Sequence, residues 1–346
     1  MPPIALILLA ALAAHRPAAA APPDNETCLT CHADRTLTVE LPSGERQSLF
    51  VDVEKFGRSV HGGRLGCIDC HAEMSEVPHP AREFKSRRDF SLAYYEQCKR
   101  CHFDEYTRTL DSAHYRPLAR GDRAAPTCVD CHGAHETTPA REPRTRISQT
   151  CARCHAGVVS VYASSVHGKA LTDEANPDVP VCTDCHRSHA VVGPRAPGWR
   201  LASPAICANC HSNAPLMKKY GLSPDVQKTY LADFHGVTAS LQRSQGGTPS
   251  SFTALCIDCH GVHDIAKVRD PNSRVIKANL VKTCRNCHPG ASENFPAAWL
   301  SHYDPTWQKA PLVYAVRMTY LVMIPFMIGG LLLQMLLHLW RVVVNR

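Results

Sequence analysis

Apolar and polar residues alternate along Thr36-Leu-Thr-Val-Glu-Leu41 and again along Ser48-Leu-Phe-Val-Asp52. The segment between them, Pro42-Ser-Gly-Glu45, has turn composition, so residues 36–52 are predicted to form a β-hairpin. Ser223-Pro224-Asp225 predicts a helix start, with Ser223 as the cap, Pro224 at the first helical position and the helix running to about Phe234. Two other stretches are apolar without a period. Ile4 to Ala14 is short and is followed by the small-residue run Ala18 to Ala21, which predicts a signal peptide over residues 1–21, although Met1-Pro2-Pro3 supplies no basic side chain. Met318 to Trp340 has only Thr319, Gln334 and His338 as polar interruptions, and 23 residues at about 1.5 Å each cross a hydrocarbon core of ~30 Å. It is expected to be a transmembrane helix, with Tyr314 and Tyr320 at one interface and Trp340, Arg341 and Arg346 at the other, cytoplasmic one.

Between these two stretches the chain carries 18 cysteines, all in Cys-x-x-Cys pairs with histidine as the next residue. The first four motifs are Cys28, Cys31 and His32; Cys67, Cys70 and His71; Cys98, Cys101 and His102; Cys128, Cys131 and His132. The other five are Cys151, Cys154 and His155; Cys182, Cys185 and His186; Cys207, Cys210 and His211; Cys256, Cys259 and His260; Cys284, Cys287 and His288. Two thiols at that spacing can add across the vinyl groups of one porphyrin edge, which sets the adjacent histidine under the iron as proximal ligand. A disulfide framework has no use for the nine histidines, and a zinc array places its ligand histidines several residues from the cysteine pair. The motifs therefore predict nine covalently attached haems c. The residues inside the pairs change from motif to motif (Leu-Thr, Ile-Asp, Lys-Arg, Ala-Asn) and are expected to vary freely.

Nine irons need nine further ligands. Each odd-numbered motif is followed by a lone histidine in a Ser-x-x-His, Ser-x-His or Asp-Phe-His setting: His61, His114, His167, His235 and His302. Each even-numbered motif is followed by His79, His135, His189 or His263, the last three lying three residues beyond the motif histidine and His79 eight. The chain thus reads as four two-haem units and a half-unit. Apart from these, only His15 and His338 remain, and residues 22–306 hold just Met74 and Met217. Bis-histidine ligation throughout is expected, with low-spin iron and low reduction potentials, since methionine, the ligand that raises potential, is scarce.

Residues 22–306 allow each motif about thirty residues, too few to build a hydrophobic core of its own. The expected fold is mainly irregular and α-helical: short helices around a stacked haem core, the small hairpin near 36–52 and one C-terminal transmembrane helix. The domain order is a signal peptide at 1–21, a nonahaem domain at 22–306 and an anchor at 307–346. The formal charge of +7 is outweighed by the propionates of nine haems, so the basic clusters Arg82, Lys85, Arg87, Arg88 and Arg141, Arg144, Arg146 are expected to meet propionates or water, and nucleic acid is not a partner. The predicted place is the bacterial cytoplasmic membrane, single-pass, with the haems in the periplasm. His302 and the Cys284 motif are closest in sequence to the anchor, so the ninth haem is expected nearest the membrane.

The Ser-Val-His-Gly segment at 59–62 and the Cys-His-Gly-x-His segments at 131–135 and 259–263 resemble the distal-ligand signatures of the doubled Cys-x-x-Cys-His multihaem cytochromes c. That resemblance implies electron transfer in anaerobic respiration. In task it is similar to the quinol-oxidising NapC/NirT cytochromes, which carry their anchor at the N-terminus where this chain has it at the C-terminus. Nine candidate histidines for nine irons leave no open coordination position, and the Cys-x-x-Cys-Lys variant of catalytic haems is absent, so an electron carrier is expected in preference to an enzyme. The alternative is a multihaem reductase of a small oxyanion or nitrogen compound. Gln334, His338 and Arg341 recur at i, i+4 and i+7 on the anchor, a polar stripe costly against lipid. It points to an integral-membrane, quinol-linked b-type cytochrome subunit as partner, His338 being either a haem ligand there or an interfacial residue; the far end would serve periplasmic or outer-membrane redox proteins.

Overall fold

A computed structural model describes residues 23–74, 76–80, 82–246, 253–299 and 302–344. The predicted signal peptide lies outside them. The chain folds as two compact units, one formed by residues 1–110 and 114–140, the other by residues 111–113 and 141–346.

The first unit carries motifs one to four and the hairpin. Strands Thr38–Glu40 and Arg46–Ser48 pair antiparallel, with Val39 opposite Gln47. The second strand therefore precedes the apolar run predicted for it. The cause is the turn: Gly44, at φ +79°, donates to Leu41 O, and Leu41 N donates to Glu45 O, which closes the loop early. Leu49 and Val51 then bond back to Leu37 and His32, carrying the chain onto the first motif.

The second unit carries motifs five to nine, the segment Thr145–Ser164, two helical stretches that meet at a kink at His155, and the C-terminal helix Pro311–Val344. The helix expected from Ser223 begins later, at Val226, because Ser223 Oγ instead accepts from Asp225 N in a turn; it ends at Ala232, because Asp233 caps the next helix, Phe234–Ser244. The C-terminal helix is longer than its apolar centre. Its 34 residues span about 50 Å at 1.5 Å per residue, long and apolar enough to cross a membrane.

Odd and even motifs are built differently. In the first, seventh and ninth, the first cysteine lies near the end of a helix that starts upstream: Asn25–His32, Trp199–His211 and Lys277–Arg285. Even motifs open their own short helices at the first cysteine: Cys67–Cys70, Cys128–His132, Cys182–His186 and Cys256–His260. The residue before that cysteine is buried in the last three, as Thr127, Val181 and Leu255. Among the described residues, buried apolar side chains are otherwise sparse, the one cluster being Leu201, Tyr230, Ala239 and Leu255.

Candidate haem-ligand centres

The third residue of every even motif is aspartate: Asp69, Asp130, Asp184 and Asp258. Its carboxylate accepts the backbone N–H of the residue before the motif, at 2.6–2.8 Å, and so caps the motif helix. In three of them an arginine from the preceding segment adds a second bond. Arg88 pairs with Asp130, Arg144 with Asp184 and Arg200 with Asp258, each at 2.8 Å. The same guanidinium donates to the carbonyl three residues before the first cysteine: Ala125, Val179 or Thr253. In the first pair of motifs Asn25 Oδ1 takes this place, accepting from Cys67 N at 2.7 Å. The inner residues of the even motifs are therefore constrained, contrary to the expectation of free variation. Odd motifs lack the aspartate, a pattern visible in the sequence once the two sets are separated. Arg88 and Arg144 are also committed to these carboxylates, where propionates or water were expected. Burial raises the Asp130 carboxyl, but Arg88 and Thr127 more than offset it and hold it below the ordinary range.

The lone histidines have a local logic too. Ser59 Oγ accepts from the N–H groups of His61 and Gly62, and Ser165 Oγ from Gly168 N at 3.0 Å. A Cβ on Gly62, Gly168 or Gly236 would lie within 2.4 Å of the carbonyl oxygen of Phe56, Tyr162 or Tyr230. Glycine thus lets the segment carrying the histidine fold directly over the end of the one before it. Tyr162 and Tyr230 hydroxyls in turn donate to Pro180 O and Ala254 O, each two residues ahead of an even motif. After even motifs the chain reverses at Gly133, Arg187 and Gly261, all at positive φ, which returns His135, His189 and His263 within three residues. Val60, Ala113 and Val166 donate to the carbonyls of Thr137, Val191 and Ile265, stitching the segment before one lone histidine to the segment after another.

These supports bring imidazoles together in pairs. Among the described residues, the first unit pairs His32 with His79, His61 with His102 and His71 with His135, at ring-centroid separations of 6.1, 6.1 and 6.2 Å. The second pairs His167 with His211, His186 with His263, His235 with His288 and His260 with His302, at 6.3, 6.0, 6.4 and 6.1 Å. Every pair joins one motif histidine to one lone histidine. Imidazole–metal bonds of about 2.0–2.1 Å on both sides, plus half of each ring, span a gap of this size. His114, His132, His155 and His189 engage other groups of the chain. His79, eight residues beyond His71, faces His32 of the first motif and not the histidine of the motif it follows. His302 faces the eighth motif's His260, and it is His235 that faces the ninth motif's His288, so the histidine nearest the anchor in sequence does not belong with the ninth motif.

Burial lowers the pKa of His71, His135, His211, His260, His263 and His302, and takes His167 down to about 4 with His211 adding to the effect. The rings are therefore neutral at neutral pH, the form that ligates a metal. None of the eighteen cysteines is paired in a disulfide. Cys28 and Cys67, Cys98 and Cys128, Cys151 and Cys182, and Cys207 and Cys256 lie within hydrogen-bonding reach of each other, so each odd motif presents its first thiol to the even motif that follows. Among the described residues no three His, Cys, Asp or Glu side chains converge as a zinc ion would require. Exposed Phe103 and Phe234, beside His102 and His235, offer apolar surface of the kind a porphyrin face covers. The donor set fits haem c: two protein nitrogens per metal and two thiols beside one of them.

Residues 120–212, which contain motifs four to seven, match the family model for cytochrome c3. The match supports a multihaem electron-transfer cytochrome. No curated protein matches the chain.

Proposed function

We propose that this protein is a membrane-anchored electron conduit carrying nine bis-histidine haems c. The pairing of motif and lone imidazoles at a nearly constant 6.0–6.4 Å is the observation that carries the reading. Haems held between these paired imidazoles would exchange electrons and, while both imidazoles stay in place, leave substrates unbound. The polypeptide's part is to fix spacing and ligation and to exclude water.

The thiols support an order for the relay. Besides the four contacts within two-motif units, Cys70 lies beside Cys98 and Cys101, Cys185 beside Cys207 and Cys210, and Cys259 beside Cys284 and Cys287. Within each unit, then, neighbouring porphyrin edges follow chain order. At the C-terminal end Asp304 contacts Lys228 at 3.5 Å and Arg317 of the long helix at 3.8 Å, tying the last motifs to the anchor. On this reading a quinol-linked membrane subunit, packed on the Gln334, His338 and Arg341 stripe, exchanges electrons with these last haems, and periplasmic or outer-membrane redox proteins meet the others in anaerobic respiration.

Electron paramagnetic resonance of the oxidised, full-length protein tests the proposal. Low-spin signals integrating to all the haems are expected. A high-spin signal near one per chain in intact protein contradicts the conduit and favours a reductase.

A further inference from the structure

Most of the lone histidines are held at two points or more. His61 and His167 follow serine caps, and the residues before them, Val60 and Val166, are stitched to Thr137 O and Ile265 O at 2.9 and 2.8 Å. His235 lies in the first turn of Phe234–Ser244, capped by Asp233. His79 stands between Pro78 and Pro80, whose rings restrict the backbone on both sides, and its Nδ1 is 3.3 Å from Pro80 O. Two motif rings are oriented as well, His32 Nδ1 meeting Leu49 O at 2.7 Å and His186 Nδ1 meeting Val192 O at 2.9 Å. A bond of that kind fixes the ring and strengthens it as a ligand.

Among the described residues, His302 has none of these supports. It belongs to the half-unit, so no even motif follows to stitch it, and it lies outside any helix, between Phe295–Ala298 and Pro311–Val344. Its Nδ1 is sealed from solvent and has no hydrogen-bond partner among the described residues. The ring rests edge-on to Trp299 at 5.9 Å, and Trp299 is itself fixed by its Nε1–H bond to Asp233 Oδ2 at 2.6 Å.

From this we infer that His302 is the one exchangeable ligand of the set, and that its departure from the pair it forms with His260 would open a place for a small neutral diatomic molecule. The inference rests on the bis-histidine reading and goes beyond it. The ligand class follows from the surroundings: the indole of Trp299 and a pocket that seals a ring nitrogen from water oppose entry of an anion, whose desolvation is costly. A neutral diatomic carries no such cost.

Carbon monoxide is the probe, added to dithionite-reduced full-length protein in detergent, with uptake counted against total haem. One carbon monoxide per chain is expected, at a rate independent of gas concentration because departure of His302 limits it. The His302→Ala variant still binds one, now at a rate proportional to concentration, whereas His79→Ala binds two. If wild type binds none or several, or if His302→Ala binds two, the inference is overturned. Should His302→Ala fail to accumulate, Trp299→Leu keeps every ligand: one equivalent bound severalfold faster supports the inference, and an unchanged rate overturns it. A high-spin signal before any gas is added marks failure of the bis-histidine reading itself.

Discussion

Arg200 grips Asp258 through two parallel bonds, Nη1 to Oδ1 and Nη2 to Oδ2, both 2.8 Å, while Nη2 also donates to Thr253 O. The fork geometry matters, because a lysine at this position offers one point charge in place of two aligned donors. Both side chains are about one-third exposed, so solvent discounts the pair. Arg200→Ala is expected to cost about 1–2 kcal/mol, and Arg200→Lys to recover little of it. Urea unfolding checks this; full recovery by lysine would show that charge alone is needed.

Two glycines should respond differently to the same substitution. At Gly168 a Cβ would lie 1.9 Å from Tyr162 O, and backbone cannot yield as a side chain can. Gly168→Ala is expected to destabilise by about 3 kcal/mol. At Gly133 nothing lies within 4 Å and only the backbone opposes a side chain, at φ +73° and ψ −172°, a region Arg187 also occupies, so Gly133→Ala should cost about 1–2 kcal/mol. Thermal unfolding of the two variants gives the order, and equal losses would remove the close-approach explanation.

Acid should leave ligation by His167 intact well below its ordinary range. Its pKa is lowered to about 4, so protons do not compete for the ring as pH falls through 6.5, and they begin to do so only towards 4. A visible-spectrum titration is expected to show unchanged low-spin bands at the His167 and His211 centre from pH 7 to 5. Loss of that centre with a midpoint at or above pH 6.5 would contradict the buried, neutral pair.

Removing the C-terminal helix should release the protein. A chain ending at Lys309 lacks Pro311–Val344 and is expected in the soluble periplasmic fraction with its haems attached. The full-length chain is expected in membranes. Haem-stained fractions of both distinguish this from attachment through another part of the molecule.

The candidate ligands were the most legible part of the sequence, because covalent attachment of haem would demand a fixed spacing and its iron a fixed residue type. Hence the eighteen thiols and both sets of histidines can be picked out without a fold. Which histidine faces which was not legible. His61 faces His102 and His167 faces His211, each two motifs on from the motif it follows, a relation set by how segments stack and not by local sequence. The aspartate–arginine supports escaped for a related reason: their partners are 40–58 residues apart, and their only local trace is Asp recurring in even motifs. The helix at Val226 and the early second strand show that a good cap or an alternating run is overridden when a side chain finds a closer backbone partner.

The mass of the intact, mature polypeptide tests the central claim most directly. The account predicts a chain heavier than its amino acids by nine haems, with every thiol consumed. A mass short by even one haem, with two thiols still open to alkylation, would contradict it.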